Sequence, residues 1–245
     1  KFFVASESTN LLTVDTIQIK RTRKLPQFID ISNNQFGVEY HLENLDYRFN
    51  PRRGYDITFT ASAGTRKITP NNAIINISPD EGDGFAYSNL YGDLELSSFK
   101  YKLQTQIQYY IPIFRSSAIK LANHLGYIGT GEVLYDNELF RIGGTKLLRG
   151  FNEEVIFASF YSVLSLEYRL LFNQNSNLFV FSDVGYTEQI TDLIRKFDLP
   201  IGFGTGLNLQ TKVGVFSISY AIGGQRQERL NFRSGKIHFG MITSF

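Results

Sequence analysis

One property dominates this 245-residue sequence: apolar and polar residues alternate with period two in stretch after stretch. Successive side chains of a β-strand point to opposite faces, so period two is the strand signature. From Tyr101 to Ile111 one face reads Tyr101, Leu103, Thr105, Ile107, Tyr109 and Ile111, and the other Lys102, Gln104, Gln106, Gln108 and Tyr110. Further on, Leu164, Leu166, Tyr168 and Leu170 oppose Val163, Ser165, Glu167 and Arg169. In a third stretch Ile201, Phe203, Leu207 and Leu209 oppose Gly202, Gly204, Gly206 and Asn208. Weaker alternation covers 37–47, 55–64, 118–128, 178–187, 213–222 and 236–245. The chain reads as about nine strands, each near the ~9–11 residues with which a tilted strand crosses a bilayer.

The connections alternate as well. Short links at 49–54, 112–117, 172–177 and 210–212 are interleaved with longer ones at 65–99, 129–160, 188–200 and 223–234. Short turns on one side and long loops on the other are the habit of an up-and-down transmembrane barrel. A soluble β-sandwich gives no reason for it. The faces agree: the polar sides are rich in Gln, Asn, Ser, Thr and Gly, and aromatics such as Tyr101, Tyr109, Tyr127, Tyr168, Tyr186 and Tyr220 fall near strand ends. Outer-membrane barrels carry such aromatic girdles around a lumen that tolerates polar groups. The fold class expected is therefore an all-β, antiparallel transmembrane β-barrel. The N-terminal 36 residues alternate poorly and are expected to hold a strand end near Val4 and an outward loop with the basic run Lys20–Lys24.

The other classes find little support. There is no cysteine, so disulfides and thiolate metal sites are excluded. A formal charge of +2 gives no push toward nucleic acid. The histidines are His41, His124 and His238. His41 shares a face with Glu39 and Glu43, and His124 with Lys120, yet none stands in a Ser/His/Asp arrangement. No catalytic residue, cofactor or metal is expected.

The segment that stands out is Gly143-Gly144-Thr145-Lys146-Leu147-Leu148-Arg149-Gly150-Phe151, within the long link 129–160 between two strongly alternating stretches. Its glycines allow positive φ and close backbone approach, so the loop can fold inward and aim one arginine. Glu167 and Asp183, on the following two strands, share the inward phase if Leu166 and Val184 face lipid. A charge inside a barrel is costly unless paired or hydrated, and a guanidinium can bridge two carboxylates. Arg149 is expected to meet both, with Phe181 or Phe151 covering the pair. Arg169 and Lys120 are alternative partners for Glu167.

Leu148-Arg149-Gly150-Phe151 resembles the (V/I/L)-R-G-(F/Y) motif of BamA-like outer-membrane assembly factors, the bacterial surface antigen superfamily. The paired Gly143-Gly144 resemble the glycines before that motif. Phe181-Ser182-Asp183-Val184-Gly185 is similar to the family's F-x-D-x-G strand, and Ser165-Leu166-Glu167-Tyr168 to its acidic strand. Asn50-Pro51-Arg52-Arg53-Gly54-Tyr55 resembles its N-P-x-x-G periplasmic turn. His238, Gly240 and Phe245 take the places of the polar residue, glycine and terminal aromatic of its C-terminal signal, although Thr243 replaces a larger apolar residue. The resemblance runs from about Gly37 to Phe245.

The resemblance implies location in the cell outer membrane and insertion of client β-barrels through a weak seam. It implies contact with membrane lipid and lipopolysaccharide, with unfolded outer-membrane protein clients, and with accessory assembly lipoproteins. The family's barrel has roughly sixteen strands, so the chain is expected to be its C-terminal portion, without the periplasmic repeat domains and first strands. The alternatives are a polypeptide-translocation pore of the same superfamily and a small passive outer-membrane channel.

Overall fold

A computed structural model describes residues 1–48, 50–80, 84–211, 214–226 and 232–242. The elements in chain order are β1 (Phe2–Thr9), α1 (Thr16–Thr22), β2 (Ile31–Leu45), β3 (Gly54–Ile68), α2 (Asn72–Ile75), β4 (Ser97–Phe114), β5 (Ser117–Thr130), β6 (Phe140–Ile142), β7 (Ile156–Ala158), β8 (Phe160–Asn173), β9 (Ser176–Ile190), β10 (Arg195–Asp198), β11 (Ile201–Thr211), β12 (Gly214–Gly224) and β13 (Lys236–Ile242). One antiparallel sheet runs β1-β2-β3-β4-β5-β8-β9-β11-β12-β13, with β10 paired to β9; β6 and β7 form a separate hairpin. Apart from that hairpin and β10, consecutive strands are neighbours, as in an up-and-down meander.

The two faces of the sheet decide what kind of meander it is. On β8, Leu164 and Leu166 are 59% and 50% exposed, while Val163 and Glu167 between and beside them are 1% and 4% exposed. Soluble antiparallel sheets do the reverse, burying the aliphatic face. A bare aliphatic face of this extent is far larger than a soluble monomer carries, and it is the surface a bilayer would cover. Near the long-loop ends of the outer face, rings from four successive strands form a row. Tyr101 to Tyr127, Tyr127 to Phe160 and Phe160 to Tyr186 are 5.7, 6.4 and 6.0 Å between centroids.

The buried apolar clusters lie under the long loops rather than between two sheets. Ile19, Ile29, Ile74, Tyr87 and Tyr91, from the β1–β2 and β3–β4 loops, pack on Ile31 and Ile68 at the strand ends. Leu134, Phe140, Leu148 and Ile156, from the β5–β8 connection, pack on Tyr161 and Val163 of the inner face. The loops thus fold back over the sheet and keep their own apolar residues from water.

The strands extend further toward the long loops than the alternation suggests. β2 begins at Ile31 and β3 runs to Ile68, because Asn33, Gln35, Ser62 and Arg66 are polar residues on a polar inner face that the loops cover. The N-terminal region differs most from its sequence reading. β1 continues to Thr9, with the Phe3 ring lying over Gly37, its partner in register. Part of the expected loop is α1, started by Asp15, whose carboxylate accepts from the Gln18 amide at 3.0 Å, an N-cap. Lys20 and Arg21 of the basic run sit in its last turn.

Candidate functional site

The β6–β7 hairpin dips onto the inner face and carries the glycine-rich loop between its strands. Gly143, Gly144 and Gly150 have φ of +114°, +112° and +98°, values open to glycine and costly for other residues. Leu148 also adopts positive φ, at 61°. Such a conformation persists only where surroundings over-determine it, and Leu148 is 1% exposed within the cluster around Tyr161 and Val163. The turn is closed by Glu153, whose Oε1 accepts from the amide and the hydroxyl of Thr145, both at 2.7 Å. Those two bonds, the backbone one foremost, hold the Glu153 carboxyl below its ordinary value.

At the bottom of the loop Arg149 is locked from several sides. Its Nε donates to Asp183 Oδ2 at 2.9 Å and its NH2 to Asp183 Oδ1 at 2.8 Å, a two-point fork. NH1 donates to Glu167 Oε2 at 2.6 Å, and NH2 also reaches Ser165 Oγ at 2.9 Å. The backbone amide of Arg149 donates to the same Asp183 Oδ2 at 2.9 Å. The Phe181 ring lies 3.5 Å from the guanidinium carbon, a stacked cation–π contact. Phe151 lies elsewhere, against Gly223.

Glu167 is shared. Its Oε1 accepts from Arg169 Nε at 2.7 Å, so the loop arginine and the same-strand arginine each take one oxygen. Two guanidinium groups face two carboxylates, and Lys120 stands across the ladder from Glu167. Arg169 also points to Asn50 Oδ1 at 3.4 Å, and Asn177 Nδ2 donates to that oxygen at 3.0 Å. Asn50, from the Asn-Pro turn between β2 and β3, is 5% exposed and so tucks into the inner face from the short-turn side. Lys120 stacks over Tyr110 at 5.9 Å and lines a cavity of about 400 Å³ beside Arg149, with Gln106, His124, Lys146 and Asn208.

The loop backbone rests on glycines of β11 and β12. A Cβ at Gly202 would collide with the Arg149 carbonyl oxygen, and one at Gly223 would meet the Gly150 carbonyl oxygen at 2.7 Å. Gly185 packs near Leu148 and donates its amide to the Pro200 carbonyl at 2.7 Å. From the last described strand, His238 Nε2 accepts from the Gly150 amide at 3.1 Å. Gly240 lies on the same strand with room around it, whereas Phe245 is outside the described residues.

A second buried charge cluster has no counterpart in the sequence reading. Glu138, from the β5–β6 connection, accepts from Arg66 Nε at 2.9 Å, Arg66 NH2 at 2.8 Å and Lys100 Nζ at 3.1 Å. Its Oε2 also accepts from the Tyr135 amide at 3.1 Å. Arg66 and Glu138 side chains are each 1% exposed. No motif marks these residues. The available signal is that Arg66 and Lys100 share the inward phase of β3 and β4, which requires a buried acid from some loop.

A meandering antiparallel sheet with an apolar outer face and an arginine loop plugged into its inner face defines a membrane-embedded β-barrel domain. A model of the Omp85 superfamily domain matches residues 15–245, and the chain belongs to that superfamily. Omp85 proteins are outer-membrane proteins that insert or translocate other polypeptides. No curated protein matches the chain.

Proposed function

We propose that this chain is the C-terminal barrel portion of an assembly factor that folds client β-barrels into the outer membrane. The observation that carries the reading is the attachment of the arginine loop to β13, one of the two end strands of the described ladder, through Gly150 and His238. β13 pairs with β12 along Lys236–Ile242, and no strand among the described residues pairs with its other edge. An edge of this kind is a template on which an incoming strand adds by backbone hydrogen bonds. The loop would set how firmly that edge is held. Bonding to a client strand requires no chemical catalysis and no cofactor. Membrane lipid and lipopolysaccharide would cover the outer face, and accessory assembly lipoproteins would be further partners.

The test uses the full-length protein in liposomes with a urea-unfolded outer-membrane protein as client. Folding is read from the heat-modifiable gel shift of the client. Assembly activity predicts faster folding than in empty liposomes, and cysteine crosslinks between client and β13. Unchanged client folding, together with protease protection of a soluble secreted polypeptide, would instead identify a translocation pore. Ion conductance with neither activity would identify a passive channel.

A further inference from the structure

The β2–β3 hairpin carries a second side-chain constellation near its short-turn end, separate from the arginine loop. His41 and Glu43 are two residues apart on β2 and therefore share a face, the phase of the buried Asn33 and Gln35. Asp56 stands directly opposite Glu43 on β3. His41 Nε2 lies 2.9 Å from Asp56 Oδ1 and 3.9 Å from Glu43 Oε2. One ligand atom from each of the three lies within 4.8 Å of the others.

Charge sets this corner apart. Glu167 and Asp183, on the same inner face, and Glu138, packed against it from a loop, each meet a guanidinium or an ammonium. Glu43 and Asp56 are a directly opposed pair of carboxylates, an arrangement that weakens a ladder. Among the described residues no lysine or arginine forms an ion pair with either; His41 is the partner of both. Two negative charges and one imidazole, converging from a continuous ladder, leave a deficit of positive charge that a divalent ion would fill.

We propose that His41, Glu43 and Asp56 bind a divalent transition cation of the zinc class, contrary to the metal-free expectation from sequence. One nitrogen and two carboxylate oxygens make a three-ligand set with an open position for water, and an imidazole ligand favours zinc-like ions over calcium or magnesium, which take oxygen. Ligands about 2.1 Å from a tetrahedral ion stand roughly 3.4 Å apart. The His41–Asp56 and His41–Glu43 separations of 2.9 and 3.9 Å straddle that value, and with all three ligand atoms within 4.8 Å of one another side-chain rotations complete the site. The backbone need not move, because β2 and β3 are paired without interruption from Ile31↔Ile68 to Leu45↔Gly54. The bound ion would staple the hairpin beside its turn.

The experiment titrates Co²⁺ and Zn²⁺ into the full-length protein folded in detergent, with folding checked by gel heat-modifiability. Wild type is expected to bind one more equivalent than His41→Ala and to show visible Co²⁺ bands that His41→Ala lacks. Glu43→Gln and Asp56→Asn are expected to weaken binding at least tenfold, and His124→Ala to leave it unchanged. Equal stoichiometry in wild type and His41→Ala, or unchanged affinity in both carboxylate variants, overturns the site. The unaltered protein offers an independent reading if a variant misfolds: Zn²⁺ should shield His41, but not His124, from carbethoxylation in mass-spectrometric footprinting. Equal modification of His41 with and without Zn²⁺ overturns it too.

Discussion

The Gly150 amide donates to Nε2 of His238 across 3.1 Å, which ties a loop from the β5–β8 connection to a strand some ninety positions later in the fold's meander. Replacing His238 by Leu removes the acceptor and leaves a buried amide unmatched, at a cost of about 1–3 kcal/mol. The expected result is faster hydrogen exchange at Gly150 and at the β12–β13 amides, with little change at β3–β4. Unchanged exchange at Gly150 would show that the bond does not hold the loop.

Arg149→Ala strands Asp183 and half of Glu167 in a buried setting, and breaking a buried pair in this way costs about 3–5 kcal/mol. Arg149→Lys is expected to recover only part of this, since an ammonium cannot make the fork to Asp183 together with the bond to Glu167. The double variant with Asp183→Ala should be less destabilised than the sum of the two single ones. Unfolding in denaturant, with the barrel in detergent, measures all four corners of that cycle.

Gly202→Ala and Gly223→Ala test the floor of the loop. Each places a methyl group against loop backbone, which cannot swing aside as a flexible side chain can. Overpacking of this kind costs about 1–3 kcal/mol. Gly240→Ala is the control, because the nearest atoms to its Cβ are 3.7 Å and 3.9 Å away. Limited proteolysis between residues 143 and 153 should accelerate in the first two variants and stay unchanged in the third.

The Glu138 cluster predicts an independent failure. Glu138→Gln leaves Arg66 and Lys100 facing each other in a buried site, and Arg66→Ala leaves Glu138 with Lys100 as its remaining cation. Both should loosen the β5–β6 connection by about 3 kcal/mol or more, without altering exchange at the Arg149 loop. A cysteine-accessibility scan across residues 131–139 distinguishes this from general unfolding.

Low pH should open the turn at Gly143 and Gly144. The Glu153 carboxyl is held below its ordinary 4.5 by its bonds to Thr145. A depressed carboxyl stabilises the folded loop fully above the unfolded value and loses that contribution as pH falls through the folded one. Exchange in residues 143–153, corrected for the intrinsic pH effect, should therefore be flat above about pH 5 and rise below 4.5. In Glu153→Gln that acid-dependent rise should disappear.

Much of the sheet is readable from alternation, and the reason is physical. A strand's faces have opposite solvents, so Leu164, Leu166 and Tyr168 on one side and Ser165 and Glu167 on the other declare their directions. The same phase identifies Glu167 and Asp183 as inward acids able to receive Arg149. What alternation cannot reveal is how loops fold over polar strand ends. Arg66, Lys100 and Glu138 are far apart in sequence and meet only through the β5–β6 connection. β1 is hard to read because Ser6, Ser8, Glu7 and Thr9 give both faces polar residues. Asn50 looks like an ordinary turn residue, and nothing local marks its reach to Asn177 and Arg169.

That reach has a mechanical meaning. From Asn50 the contacts pass to Arg169, to Glu167, to Arg149, and through the neighbouring Gly150 to His238. The line starts in a turn at one rim of the sheet and ends on β13 at one end of the ladder, crossing the interior rather than following the strands around. Displacing the Asn50 turn would shift Arg169 against a carboxylate it shares with Arg149. The turn and β13 are therefore joined by a cross-brace through the interior, and a displacement at the turn can reach β13 without passing along the intervening strands.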